Sequence, residues 1–134
     1  MLAASAAFAI ATPVFSQAAL EVDWVWKASY YCRTISPELV VSGIPVEAKV
    51  LEVRMVDLDF PQFNHGGGSI AATGAPTQTI PEAALTRYVG PCNRGNYYNF
   101  GNTYQFTVKA LAADGTTELA RGVNAKLFSS STAK

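Results

Sequence analysis

Apolar and polar positions alternate along much of the chain, and a two-residue period is typical of β-strands with one buried face. The alternation is clearest at 20–27, where Trp24 and Trp26 share the apolar face, and at 103–110, where Tyr104 and Phe106 do. The segment Lys49–Phe60 is apolar at most positions, which predicts a strand buried on both faces. That strand should end at Pro61, because proline cannot donate to a sheet ladder.

Shorter signals complete the predicted fold. Residues 39–41 predict a strand before the Ser42–Pro45 turn, and the glycines and prolines of 62–86 predict a loop-rich segment. Asp114-Gly115 is a hairpin signal, followed by a strand or a short helix over 119–128. With no internal repeat and no strongly helical segment, the sequence predicts a mainly β fold, a β-sandwich with few or no helices. Its expected core residues are Trp24, Trp26, Val53, Met55, Tyr104, Phe106 and Val108.

The first residues differ from the rest. Residues 2–15 are apolar, rich in alanine and uncharged, and Ser16-Gln17-Ala18 fits the small-x-small rule for signal peptidase. This predicts a signal peptide at 1–18 and a single β domain at 19–134. The alternative is that the first residues form a strand or helix of the core. A signal peptide would make the protein periplasmic or secreted.

Charge and cysteine content limit the possible partners and the compartment. Ten Lys and Arg balance ten Asp and Glu, so nothing in the net charge favours nucleic acid or an anionic membrane as a partner. The chain has no apolar run long enough for a membrane span. Cys32 and Cys92 are the only cysteines, and in an oxidising compartment they would form one disulfide. The alternative is two unpaired thiols.

The candidate site follows the strand that ends at Asp57. Asp57, Asp59 and Pro61 precede the only histidine, His65, and a turn at Gly90-Pro91 follows later in the chain. A carboxylate beside the imidazole would favour its charged form, which donates both ring protons to an anion. The glycines at 66–68 would add backbone N–H groups in a nest. Alternatively, the acidic segment caps the strand in an Asx-type turn, the glycines form a flexible loop, and the histidine is exposed.

Motifs for catalysis are scarce. The chain has no nucleophile elbow, no zinc-spaced cluster and no phosphate-binding glycine loop, so we expect no enzymatic activity, no cofactor and no metal. Asp57, Asp59 and His65 are an alternative metal-binding set, but they would need a further ligand.

Several motifs occur in the order seen in the phosphatidylethanolamine-binding protein family. They are Cys32–Leu39, Ser42–Pro45, Asp57–Pro61, His65, Tyr88–Cys92 and Tyr104–Leu111. The chain resembles the bacterial Raf-kinase-inhibitor-like branch of this family, in a divergent and shortened form. The resemblance implies a β-sandwich with a small anion pocket at one end.

The resemblance also implies which residues bind the ligand. They are Asp57, Asp59, Pro61, His65, Gly90, Pro91, Asn102 and Tyr104. Asn102 stands where the family has a second pocket histidine, so the pocket should bind its anion weakly. The implied ligand is a small anion or a phospholipid headgroup.

A second function is suggested by the aromatic-rich loop at 96–102, where Tyr97, Tyr98 and Phe100 lie close together. Exposed aromatic side chains on a loop are typical of recognition surfaces, although they would equally pack across the pocket mouth. The alternative hypothesis is therefore a protein-interaction module or an inhibitor of a kinase or protease, with a degraded pocket.

Overall fold

A computed structural model describes residues 3–7, 9 and 18–134 of the chain. The predicted signal peptide at 1–18 falls mostly outside these residues and stays a prediction. Within the described ranges, no helix is both long and apolar enough to cross a membrane.

The described residues form nine strands and a short 3-10 helix at Ala28–Tyr30. The strands are β1 (Ala18–Ala19), β2 (Glu21–Asp23), β3 (Leu39–Ser42), β4 (Val50–Asp57), β5 (Gly66–Ala71), β6 (Thr77–Ile80), β7 (Arg87–Tyr88), β8 (Asn102–Leu111) and β9 (Glu118–Phe128). The predicted mainly β fold is confirmed.

Two sheets pack face to face as a β-sandwich. The larger sheet has the order β1-β9-β8-β4-β5-β7, and the smaller has the order β2-β3-β6. All the pairs are antiparallel except β1 with β9. Leu39 and Val41 of the smaller sheet share one buried cluster with Val53 and Phe106 of the larger sheet. Burial of this apolar area is the main force that holds the layers together.

Period-2 alternation identified the buried faces correctly. Leu20, Val22, Trp24 and Trp26 are buried while the residues between them are exposed, although the regular part of this segment is only the three residues of β2. The hairpin signal is also correct, and the segment after it is the strand β9, not a helix. The seven predicted core residues are all buried.

One prediction about the strands is wrong, and another is incomplete. β4 is not buried on both faces, because its residues alternate between buried and more exposed positions and Arg54 is exposed. Residues 62–86 are rich in loop, as predicted, but they also contain two strands that the sequence pattern did not show, β5 and β6. Glycine hid β5 from the sequence pattern: a Cβ added at Gly67 would lie 1.8 Å from the carbonyl oxygen of Val53 on β4, so this position excludes the usual strand residues.

The outer edge of β9 is covered by the segment that leads into the smaller sheet. β1 pairs with β9 only at Ala120 and Arg121. Beyond that point, the Asn124 amide donates a 2.8 Å hydrogen bond to the Val22 carbonyl. Lys126 reaches the Trp24 carbonyl and the Asp23 carboxylate. Side chains thus replace a strand along this edge.

Candidate ligand-binding site

A cavity of about 720 Å³ lies where β4 ends and β8 begins. Its walls come from four parts of the chain: residues 32–34, the end of β4 with the following loop, residues 89–96, and the start of β8. The lining residues are Cys32, Arg33, Thr34, Asp57, Asp59, Phe60, Phe63, His65, Val89, Gly90, Cys92, Asn93, Arg94, Asn96, Asn102 and Tyr104.

A disulfide joins two of these walls. Cys32 and Cys92 are bonded to each other, which confirms the predicted pairing and excludes two unpaired thiols. The Cys32 N–H donates to the Pro91 carbonyl at 2.7 Å, and the Gly90 N–H donates to the Arg33 carbonyl at 2.8 Å. A Cβ added at Gly90 would lie 2.4 Å from the Arg33 carbonyl oxygen, so glycine permits this close approach. We call residues 32–34 and 90–94 the disulfide wall.

Asp57 and Asp59 fix the end of β4. One Asp57 carboxylate oxygen accepts hydrogen bonds from the N–H groups of Asp59 and Phe60 at 2.9 and 3.1 Å, which is an Asx-type turn. Its other oxygen accepts a 2.8 Å hydrogen bond from the Asn102 amide. Asp59 accepts a 2.7 Å hydrogen bond from the Thr103 N–H. Both carboxylates therefore tie the loop after β4 to itself and to β8, as the strand-capping alternative had it.

His65 is held by a backbone carbonyl. Its Nδ1 lies 2.7 Å from the carbonyl oxygen of Val89, and because a carbonyl can only accept, Nδ1 carries the proton. The ring is 4% exposed, so the solvent-exposed alternative is wrong. Its centroid lies 4.6 Å from that of Phe63 and 5.3 Å from that of Tyr104. Nε2 is the ring nitrogen that no described residue engages.

Two buried polar side chains complete the inner wall. Burial raises the pKa of Tyr104 well above its ordinary value, and the charge of Asp57 raises it further, so the phenol stays protonated at physiological pH. The Asn93 amide is buried, and neither its nitrogen nor its oxygen has a hydrogen-bond partner among the described residues. A buried amide without hydrogen-bond partners is energetically costly, and such groups are rare in folded proteins.

Sequence reasoning missed two arginines on the disulfide wall. Arg33 and Arg94 both line the cavity and are exposed. Neither guanidinium forms an ion pair within the part of the chain that the structure describes. Their positions one and two residues after Cys32 and Cys92 were the available signal. A disulfide brings the residues beside each cysteine to the same place.

The structure brings six of the eight residues predicted to bind ligand to the cavity. These are Asp57, Asp59, His65, Gly90, Asn102 and Tyr104. Pro61 and Pro91 do not line it: Pro61 is exposed in the loop after β4, and Pro91, although part of the disulfide wall, is buried.

The structure corrects two further interpretations, those of the glycines at 66–68 and of a metal site at Asp57, Asp59 and His65. Gly66 to Gly68 form neither a nest nor a flexible loop, since they pair with β4 and β7 as part of β5. The Gly66 N–H is already engaged by the Asn64 side chain at 2.9 Å. Asp57, Asp59 and His65 do not form a metal-binding group, and none of three or more such side chains occurs among the described residues.

The aromatic-rich loop is divided between core and surface. Tyr97 is buried, with its ring stacked on Tyr31 at a centroid distance of 4.3 Å and tilted against Phe128 at 5.2 Å. Tyr98 and Phe100 are each 79% exposed and do not line the cavity. None of the three aromatic side chains lines the cavity, so the expectation that they pack across the pocket mouth is wrong, whereas two of them are exposed.

Comparison of the chain with protein-family models, with curated proteins and with solved structures finds no match in any of the three. The resemblance to the phosphatidylethanolamine-binding protein family stays a prediction. The function is therefore inferred from the cavity.

Proposed function

We propose that the protein binds a small phosphate-bearing or other anionic ligand in this cavity without transforming it. The observation that carries the proposal is the pair of exposed guanidinium groups, Arg33 and Arg94, in the wall of one cavity. Guanidinium groups bind carboxylate and phosphate through two parallel hydrogen bonds, which gives both affinity and orientation.

The charges of the cavity are divided between two walls. Arg33 and Arg94 belong to the disulfide wall, whereas Asp57 and Asp59 come from the end of β4. The Asp57 carboxylate already accepts three hydrogen bonds, which partly offset its charge. An anion therefore binds on the disulfide wall, and His65 contributes Nε2 as a further donor when the imidazole is protonated.

A binding role fits the site better than a catalytic one. The His65 Nδ1 is held by a neutral carbonyl, not by the carboxylate that orients the base in a catalytic triad. The sulfur atoms of Cys32 and Cys92 are joined to each other and are not nucleophiles. These contacts support a non-enzymatic ligand-binding protein.

The disulfide also supports the proposed compartment. Disulfides persist in oxidising environments and are rare in the cytosol, so we place the protein in the periplasm or outside the cell. A phospholipid headgroup and a free organic phosphate are both sources of the proposed anion there. Membership of the phosphatidylethanolamine-binding protein family, as a divergent branch, is part of the same proposal.

Isothermal titration calorimetry with inorganic phosphate, phosphoethanolamine and sulfate tests the proposal. A charge-assisted hydrogen bond contributes about 1.5–3 kcal/mol, so R33Q/R94Q and H65A should each weaken binding by roughly tenfold or more. Arg87→Gln is the matched control, since Arg87 is exposed, is in no ion pair with a described residue and does not line the cavity.

Binding of the anions by wild type and by R87Q, with the loss confined to the cavity variants, is the expected result. No binding of any anion at millimolar concentration would contradict the proposal. Equal affinity for wild type and R33Q/R94Q would also contradict it.

A second candidate function is a protein-interaction module or an inhibitor of a kinase or protease. It is favoured by Tyr98 and Phe100, because large aromatic side chains are seldom left 79% exposed on a loop without use. For a partner recovered by pull-down, Y98S/F100S should abolish binding, while R33Q/R94Q should leave it unchanged.

A further inference from the structure

The size of the cavity is informative about the ligand. Sites for small organic molecules usually have volumes of roughly 300–1,000 Å³, and this cavity, at about 720 Å³, lies within that range. A bare phosphate or sulfate ion would contact only part of the wall. The remainder of the cavity therefore accommodates a further part of the ligand.

Part of the remaining wall is apolar and largely aromatic. Phe60 and Phe63, on the loop between β4 and β5, line the cavity while 54% and 46% exposed, and Val89 lines it while 39% exposed. These side chains leave apolar surface in contact with water at the cavity. Burial of that surface by a ligand is favourable.

The inner part of the same wall also consists of rings. The His65 ring lies against Phe63 and meets the Tyr104 ring edge to face, with an interplanar angle of 85°. The Tyr104 phenol is neutral at physiological pH, so it presents an uncharged surface. Ring-to-ring contacts add affinity beyond the area that they bury, and they favour an aromatic ligand over an aliphatic one of similar size.

We infer that the ligand is an aromatic organic anion. Its acid group lies at Arg33 and Arg94 on the disulfide wall, and its ring lies against Phe60 and Phe63. The inference rests on the proposed function and goes further, because it assigns a chemical class to the part of the ligand that is not the acid group. The acid group is a phosphate or a carboxylate, since a guanidinium binds either.

A matched set of ligands tests the inference on the wild-type protein. Phenyl phosphate should bind at least tenfold more tightly than inorganic phosphate and several-fold more tightly than butyl phosphate. Phenylacetate compared with acetate repeats the test for a carboxylate. The tighter of phenyl phosphate and phenylacetate identifies the acid group.

Two variants locate the ring. F60S/F63S should bring the affinity for phenyl phosphate close to the affinity that the same variant has for inorganic phosphate, because both side chains that would contact the ring line the cavity and are removed. Y98S/F100S is the matched control: it removes two exposed aromatic side chains that do not line the cavity, and it should change neither affinity.

The outcomes separate the inference from the proposed function. If phenyl phosphate binds no more tightly than inorganic phosphate, with both still sensitive to R33Q/R94Q, the proposed function stands and the inference is overturned. If butyl and phenyl phosphate bind equally, the aromatic assignment is overturned. If no anion binds, both fail.

Discussion

The Asn102 amide donates a 2.8 Å hydrogen bond to the Asp57 carboxylate across the start of β8 and the end of β4. Both residues are buried, with 8% and 4% exposure. Asp57 accepts its other two hydrogen bonds from its own turn, so the bond from Asn102 ties this turn to the neighbouring strand, next to the bond from the Thr103 N–H to Asp59. Side-chain contacts at both Asp57 and Asp59 therefore hold this part of the cavity wall against β8.

Asn102→Ala should lower the free energy of unfolding by about 1–3 kcal/mol, because it leaves a buried carboxylate oxygen without its donor. Urea unfolding of the purified variant measures the change. Asn99→Ala is the control, since Asn99 is exposed and its side chain bonds only the Gly95 carbonyl. Asn99→Ala should lower the free energy of unfolding by less than about 0.5 kcal/mol. Similar losses in the two variants would show that the Asp57 contact is not stabilising.

Loss of the disulfide should destabilise the fold. Cys32 and Cys92 are 60 residues apart in sequence, and closing a long loop typically stabilises a protein by about 2–4 kcal/mol, chiefly by restricting the unfolded chain. The free energy of unfolding of C32S/C92S, measured by urea unfolding, should be lower than that of wild type by about 2–4 kcal/mol. The intact mass of the unreduced wild type should be two hydrogens below that of the reduced protein. Alkylation of both cysteines in native protein would contradict the bond.

Phe106→Ala should be strongly destabilising. The side chain is fully buried on β8, and its ring centroid lies 4.9 Å from Trp24 and 6.2 Å from Tyr88. Truncation of a buried phenylalanine typically costs about 3–5 kcal/mol, from lost burial and the cavity that remains. Phe100→Ala makes the same chemical change at a position that is 79% exposed, and it should cost less than about 0.5 kcal/mol. Chemical unfolding of both variants tests the contrast.

The turn between β8 and β9 should contribute an acid-sensitive part of the stability. The Thr117 hydroxyl and the N–H groups of Thr117 and Thr116 hydrogen-bond the Asp114 carboxylate and lower its pKa to about 2. A pKa below the ordinary value of 3.8 means that the stabilisation is present above that pH and is lost as the pH falls toward 2.

Urea unfolding between about pH 2 and pH 6 tests this dependence, and D114N should remove it. Thr117→Val deletes the hydroxyl donor, so the pKa of Asp114, followed by carboxyl NMR shifts, should rise toward its ordinary value. An unchanged pKa in that variant would show that the hydroxyl is not the main cause.

The strands that were predicted from sequence are those whose side chains alternate between apolar buried positions and polar, more exposed ones. β8 alternates without interruption, so its period identified Tyr104, Phe106 and Val108 as core. β5 could not be found in this way, because Gly67 is selected by the approach of the Val53 carbonyl and has no side chain to show an inward face. The sequence pattern of one strand indicates which of its faces is buried, but it does not indicate where its backbone closely approaches another strand.

The site was predictable to the extent that its residues follow recognisable strand ends and turns. Asp57, His65 and Gly90 were predicted for this reason, and they line the cavity. Arg33 and Arg94 were missed because an exposed arginine is ordinary in sequence, and only the Cys32–Cys92 bond places both on one wall. Likewise, the partner of Asp57 is 45 residues away, at a distance that no local pattern spans.

The cover over β9 has a consequence for self-association. Asn124 and Lys126 reach across to Val22 and Trp24, so residues 20–24 occupy the edge to which another chain would otherwise add a strand. Proteolytic removal of the chain through Trp24 would remove this cover and leave the outer edge of β9 unpaired, with Val123 and Leu127 already exposed beside it. An uncovered edge of this kind is a template for intermolecular pairing. Residues 20–24 thus protect this edge from pairing with a strand of another chain.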